Sequence, residues 1–264
     1  MPFTLSHPSA ALPFWPLIRR GFVPLAPFVV GAMAPDFEYL LRLEPWALLS
    51  HSALGVFVFC LPIGVATWIL WVMLLHPVAR ALVALPPATP RLPRTVGGWL
   101  LVVIAVVLGS STHVFWDALT HRDTWGPVVF PILGQTAFTV GSYRVPWYNV
   151  LQLTSSLLGG VLVLAWLRQE IVRRGDGIAA LLAPWRVRTW LALAAAALAV
   201  AVWNAPRQGI MTHITRTKLV LGRMAVGALV GLAIGLVALA VLHRLGRLRI
   251  TDDGTDRPGE TYAT

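Results

Sequence analysis

The sequence predicts an all-α polytopic membrane bundle of about five transmembrane helices, with a short re-entrant or interfacial N-terminal segment. Three observations carry that expectation. Of 264 residues, 57% are hydrophobic and 12% charged, with a mean hydropathy of +0.72, whereas roughly a quarter of the residues in a soluble domain are charged. Five runs, 45–79, 95–116, 145–167, 189–206 and 224–243, contain no Asp, Glu, Lys or Arg, and each approaches or exceeds the roughly 20 residues that cross a hydrocarbon core. None shows the alternation of a barrel strand, so the backbone must satisfy itself within each segment, as a helix does.

Taken in order, residues 21–35 hold Pro24, Pro27 and Pro35 in a run too short to span, and are expected to be interfacial or re-entrant. Arg19 and Arg20 ahead of this stretch suggest a signal peptide, but prolines suit its apolar core poorly. The spans are expected at about Ala53–Leu75, Val96–Leu119, Val150–Leu167, Val187–Trp203 and Leu219–Leu242. Between the second and third, 124–143 is broken by Gly126, Pro127, Pro131, Gly134 and Gly141, and is expected to be interfacial or re-entrant as well. On the third span Gln152, Ser155, Ser156 and Gly159 fall at i, i+3, i+4, i+7, a small polar face directed into the bundle. On the fifth, Gly227, Gly231 and Gly235 at spacing four admit a close neighbour. Residues 1–250 are expected to form one membrane-embedded domain, with 251–264 a disordered tail that has little to bury.

Lys and Arg number 21 against 11 acids, but the basic residues punctuate apolar runs and form no stripe, which points to loops beside lipid and excludes nucleic acid as a partner. With five crossings, eight basic residues lie on the N-terminal side and twelve on the other, so the second set is expected in the cytoplasm and the N-terminus outside. Trp46, Trp99, Trp147, Trp185 and Trp203 near span ends read as interface anchors. Cys60 is the sole cysteine, which excludes an intrachain disulfide. There is no phosphate-cradling glycine loop, CxxC pair or G-x-S-x-G elbow.

Ionisable groups in or beside membrane helices are expensive, so their placement is informative. His7, Asp36, Glu38, His51, His113, Asp117 and His121 all fall near one membrane face. In the segment His113-Val-Phe-Trp-Asp117-Ala-Leu-Thr-His121, spacing of four sets two imidazoles and a carboxylate along one side of a helix. Together with Ser6-His7, Asp36-Phe37-Glu38 and Ser50-His51-Ser52 it supplies the mixed N and O donors of a divalent metal, zinc first, with manganese or iron favoured where carboxylates dominate. The competing expectation is a polar staple in which His113 and His51 hydrogen-bond Asp117 and Asp36. His76, His213 and His243 at helix ends, and Arg122 with Asp123, carry no functional expectation.

The segments MPFTLSHPSAALP, GAMAPDFEYLLR, HSALGVFVFCLP, STHVFWDALTHRDTW and LQLTSSLLG, in that order over about residues 1–165, resemble the bacterial membrane family known as domain-of-unknown-function family 4184. More distantly, the G-A-x-x-P-D segment and the H-x-x-x-D-A-x-T helix resemble membrane-bound metal-dependent hydrolases and, through them, the all-helical zinc-dependent phospholipase C and P1-type nuclease group. That resemblance implies a bacterial inner-membrane protein with Asp36, His51, His113 and Asp117 as metal ligands and His7 as a further one. Where those hydrolases tend to show P-D-x-D-H, this chain has Asp36-Phe37-Glu38-Tyr39, without the histidine. The combined expectation is a metal-dependent hydrolase at the extracytoplasmic face acting on a lipid or lipid-linked phosphoester. Glu38 or His121 would accept the proton or orient a ligand, and Arg42, Arg122 or Arg144 would meet an anionic head group. A non-enzymatic staple, or an ion or proton pathway continuing through Gln152, Ser155 and Ser156, is the alternative.

Overall fold

Segments with few charges become the longest helices. The computed structural model describes residues 4–85, 90–174, 177–205 and 213–247; the tail 251–264 expected to be disordered, and Arg207, lie outside them. A 3-10 helix, Thr4–Ala11, precedes α1 (Trp15–Arg19), α2 (Leu25–Met33) and α3 (Phe37–Arg42), with a 3-10 turn at Ala34–Asp36 between the last two. Five helices among the described residues are long and apolar enough to cross a membrane. They are α4 (Ala53–Leu82), α5 (Val96–Thr120), α7 (Trp147–Arg174), α8 (Pro184–Asn204) and α9 (His213–Arg244). The short α6 (Trp125–Val129) follows α5. The architecture is an all-α polytopic bundle, as the charge-free runs predict.

Two local features go beyond what the sequence led one to expect. The first span passes Leu75 and runs to Leu82, through Pro77. Proline normally breaks a helix because its ring clashes with the carbonyl four residues back. Here π-helical turns at Val56–Cys60 and Trp71–Leu75 lead into Pro62 and Pro77, widening the helix ahead of each ring. The carbonyl displaced by Pro77 is that of Met73, and it accepts a hydrogen bond from Arg244 Nη1 of α9 at 2.8 Å. The second concerns 124–143, expected only to be interfacial or re-entrant. After α6 and a 3-10 turn at Pro131–Gly134, the chain forms an antiparallel hairpin, β1 (Thr136–Val140) with β2 (Tyr143–Pro146). Thr, Phe and Val favour the strand, and Gly141, with φ +59°, supplies the positive φ that a two-residue hairpin turn requires.

Glycine contacts set how the helices meet. A Cβ on Gly231 would lie 2.5 Å from the Ala196 carbonyl oxygen and one on Gly227 2.7 Å from that of Val200, so α9 rests backbone-to-backbone on α8. At the other end of the bundle, α2 is too short to span and lies against the middle of α5. A Cβ on Gly109 would be 2.2 Å from the Phe28 carbonyl oxygen, and one on Gly31 2.3 Å from that of Val106. Ser110 Oγ donates to the Gly31 carbonyl at 3.0 Å. The C-terminal turn of α2 is thereby brought alongside His113. Apolar packing of Phe28 with Ala105, and of Trp68 with Val102 and Val106, fills the layer below.

Candidate metal centre

One face of the C-terminal third of α5 is buried, and His113 and Asp117, one turn apart, lie on it. His113 lies seven residues before the end of the helix, roughly 10 Å below it. Its Nδ1 is 2.7 Å from the Ala32 carbonyl oxygen. A carbonyl only accepts, so Nδ1 carries the proton and Nε2 presents a lone pair, the arrangement that orients a metal-binding histidine. Asp36 enters from the 3-10 turn after α2. His51 enters from the loop before α4, and that loop is held by Glu38: the amides of Leu48, Leu49 and Ser50 donate to its two oxygens at 2.8, 3.1 and 2.8 Å. His7, from the N-terminal 3-10 helix, stacks on His113 with ring centroids 3.6 Å apart and planes 14° apart.

Five residues thus converge from four separated segments. His51 Nε2 lies 3.3 Å from Asp117 Oδ2 and 3.5 Å from Asp36 Oδ1. His113 Nε2 lies 3.5 Å from Asp36 Oδ1 and 3.6 Å from Asp117 Oδ2, and His7 Nε2 is 3.8 Å from Asp117 Oδ1. There are two overlapping triads, His7–His113–Asp117 and Asp36–His51–His113, and within each the ligand atoms lie within 4.8 Å of one another, so that either could hold a metal ion.

The donor set passes a test of fit. Among the described residues six buried side-chain N or O atoms lack a hydrogen-bond partner, and five of them are here: His7 Nε2, both Asp36 oxygens, His113 Nε2 and Asp117 Oδ1. Such atoms are normally paired. Their spacing is too long for good hydrogen bonds. It matches donors sharing one ion, since two ligand atoms each about 2.0–2.1 Å from a tetrahedral centre are about 3.3 Å apart.

Electrostatics follow the same geometry. Burial, then the neighbouring His113, pushes the His7 pKa down to about 3, which keeps its imidazole neutral. Burial also works against charge on His51, but the Asp117 and Asp36 carboxylates outweigh it and raise its pKa to about 9. For Asp36 burial is outweighed by His51 and His113, which hold its carboxyl below the ordinary range. Burial opposes ionisation of Glu38 too, but the Ser50 and Leu48 amides hold its pKa down to about 2.

Other expected residues sit around the rim. His121 Nδ1 donates to the Asp117 carbonyl at 2.8 Å, leaving Nε2 within 3.4 Å of Gln152 Nε2 on α7. With His51 it is one of the two half-buried imidazoles of the group. The polar face of α7 does turn inward: Trp116 Nε1 donates to Ser155 Oγ at 3.1 Å, and a Cβ on Gly159 would meet Ser9 Oγ at 2.8 Å. Arg42 is 3.6 Å from Glu38 and donates to the Trp46 carbonyl, while Arg122 pairs loosely with Asp123 at the surface. Sequence reasoning missed Tyr39, whose hydroxyl is 3.2 Å from His51 Nε2. Its position three residues after Asp36, one helical turn on, was the available signal.

Residues 1–241 match a family model described as a domain of unknown function, DUF4184. No curated protein and no solved structure matches the chain.

Proposed function

The chain belongs to the domain-of-unknown-function family DUF4184, and from that premise we propose that it is a membrane-embedded, metal-dependent hydrolase acting on a lipid or lipid-linked phosphoester. The observation that carries this is the group of five buried, unpartnered donor atoms on His7, Asp36, His113 and Asp117, gathered at helix-end depth. His7, Asp36, His51, His113 and Asp117 would hold a single divalent cation, zinc by its mixed imidazole and carboxylate donors. One ion suffices because the two triads share His113, whose only free nitrogen is Nε2.

When bound, the cation supplies an acidified water and polarises the oxygen of the scissile group. The chain does the rest. Ala32 fixes the His113 tautomer, and Glu38, through the Leu48–Ser50 amides, fixes the approach of His51; with both oxygens so engaged, Glu38 is a positioning residue. Hydrolysis forms a P–O bond to water, breaks the P–O bond to the alcohol and moves one water proton to the leaving oxygen. His121, at the accessible rim with Nε2 facing outward from Asp117, is placed to carry that proton.

A staple would place its N–H groups at 2.7–3.2 Å from the carboxylates, and the separations of 3.5–3.8 Å around His113 and His7 disfavour it. A proton pathway through Gln152, Ser155 and Ser156 is disfavoured because the Ser155 and Ser156 hydroxyls donate to the Gln152 carbonyl and that of Ser110 to the Gly31 carbonyl, while the buried α5 residues farther from the cluster are Val102, Ala105 and Val106. The site is proposed to face the extracytoplasmic side of a bacterial inner membrane, in keeping with the loop charges.

Elemental analysis of the purified full chain tests the core of this. One equivalent of divalent metal is expected in the wild type and far less in His113→Ala with Asp117→Ala. Equal content in both would remove the centre. Release of product from phospholipid vesicles, lost in the same variant, tests the chemistry.

A further inference from the structure

A groove of about 620 Å³ lies between the N-terminal 3-10 helix, α5 and α7, with His7 on its wall. Leu108, Ser111 and Phe115 line it from α5, and Leu158 and Leu162 from α7, each set at the i, i+3, i+4, i+7 spacing of one helix face. His7 is the sole ionisable lining residue, so the groove touches the metal-centre cluster at one point and is otherwise uncharged. Three of its five hydroxyls are bonded to backbone: Thr112 Oγ1 donates to the Gly109 carbonyl at 2.7 Å, Ser155 Oγ to that of Gln152 at 3.1 Å, and Ser9 Oγ to that of Ser6 at 2.7 Å. A head group would find few donors there.

Shape narrows the occupant further. From Leu108 to Trp116 the groove follows α5 for about 12 Å, so its long axis runs along the span. Its outer edge is exposed at Phe115 and Leu158. These residues lie within two spans, where the surrounding phase is hydrocarbon.

We propose that this groove holds an acyl chain of a membrane lipid that enters sideways from the bilayer, placing the ester or phosphoester end of that lipid beside His7. The consequence for catalysis rests on the hydrolase reading above; occupancy by the chain does not. The polar end would lie toward Trp116 and Ser155, near the rim formed by Gln152 and His121.

The test uses the full chain in phosphatidylglycerol–phosphatidylethanolamine vesicles doped with a phosphatidylglycerol bearing a diazirine on one acyl chain. After photolysis, labelled peptides are mapped by mass spectrometry. Labelling is expected to concentrate on 108–116 and 155–162 above the level on the exposed α8 face at Leu191 and Leu198. It should fall to that level in Ser111→Phe and in Leu158→Trp, each checked for an unaltered melting temperature as a sign of folding. Equal labelling of groove and α8, or groove labelling unchanged in both filled variants, overturns the proposal. Repeating the experiment on Asp117→Asn with chelator separates the two claims. Groove labelling retained without metal leaves the chain site standing even if no hydrolysis is found, and metal bound without groove labelling leaves the centre standing alone.

Discussion

Replacing Glu38 by Gln changes one oxygen to an NH2 group and nothing else in size, yet the structure makes it a costly change. Both carboxylate oxygens accept from backbone amides, Oε1 from Leu48 and Oε2 from Leu49 and Ser50. A glutamine retains one acceptor, so whichever way the amide turns, a donor faces at least one backbone N–H. Hydrogen bonds to a charged acceptor contribute about 1.5–3 kcal/mol each, and a buried amide left unpaired costs about 1–3 kcal/mol, so a loss of roughly 2–4 kcal/mol is expected. The same loop delivers His51, and disturbing a residue that orients a ligand typically weakens metal binding by about 10–100-fold. Chemical unfolding in detergent and competitive metal titration measure the two effects. The pH dependence has a defined sign. Glu38 is held at about 2 in the folded chain against 4.5 for the unperturbed group, so its stabilisation is fully present above about 4.5 and is lost as pH falls toward 2. The wild type should therefore lose stability over that window more steeply than Glu38→Gln. A variant with wild-type stability, wild-type metal affinity and the same acid slope would refute the positioning role.

Three other changes probe separate parts of the molecule. Gly109→Ala inserts a methyl group 2.2 Å from the Phe28 carbonyl oxygen and 2.6 Å from the Ala32 nitrogen; it is expected to push α2 off α5, destabilise by about 1–3 kcal/mol or more, and lower metal content, because Ala32 no longer meets His113. Gly231→Ala meets the Ala196 carbonyl oxygen at 2.5 Å in the α8–α9 contact, so thermal unfolding should drop while elemental analysis still gives one equivalent of metal. Chelation of the wild type should lower its melting temperature and zinc should restore it, by about 2.7 kcal/mol at a free concentration one hundred times the Kd, with no such response in His113→Ala.

The spans were legible because hydropathy and missing charge act locally: each of the five charge-free runs became a helix. The i, i+4 pair His113 and Asp117 was legible for the same reason, since helical spacing alone sets their common face. The hairpin at Thr136–Pro146 was not, because glycines and prolines mark interruptions without saying what lies between them. Nor was the passage of α4 through Pro77, which depends on a widened turn and on Arg244 reaching Met73 from more than 160 residues away. Within the site the side chains could be named, but their supports are backbone groups: the Ala32 carbonyl, and the amides of Leu48, Leu49 and Ser50. Main-chain partners leave no trace in residue identity, and so the sequence could name Glu38 without choosing between a proton acceptor and a residue that orients a ligand.

Charge balance gives an independent reason for a cation at this place. Asp36 and Asp117 are both buried, and an uncompensated carboxylate at such a depth is strongly unfavourable. Arginine is the usual partner, but among the described residues no arginine is paired with Asp36 or Asp117: Arg42 is committed to Glu38 and the Trp46 carbonyl, and Arg122 lies at the surface beside Asp123. Imidazole can compensate by taking a proton, and His51, with its pKa raised toward 9, is the one poised to do so. One proton offsets one of two negative charges, and His7, kept neutral by its surroundings, does not offer a second. A divalent ion supplies both charges at once and also gives the lone pairs of His7 and His113 something to bind. The position of the glycines then acquires a purpose: by letting α2 touch α5 at Gly31 and Gly109, they bring Asp36 to within 3.5 Å of His113, a carboxylate that an apolar packing of the same helices would have had no reason to bury.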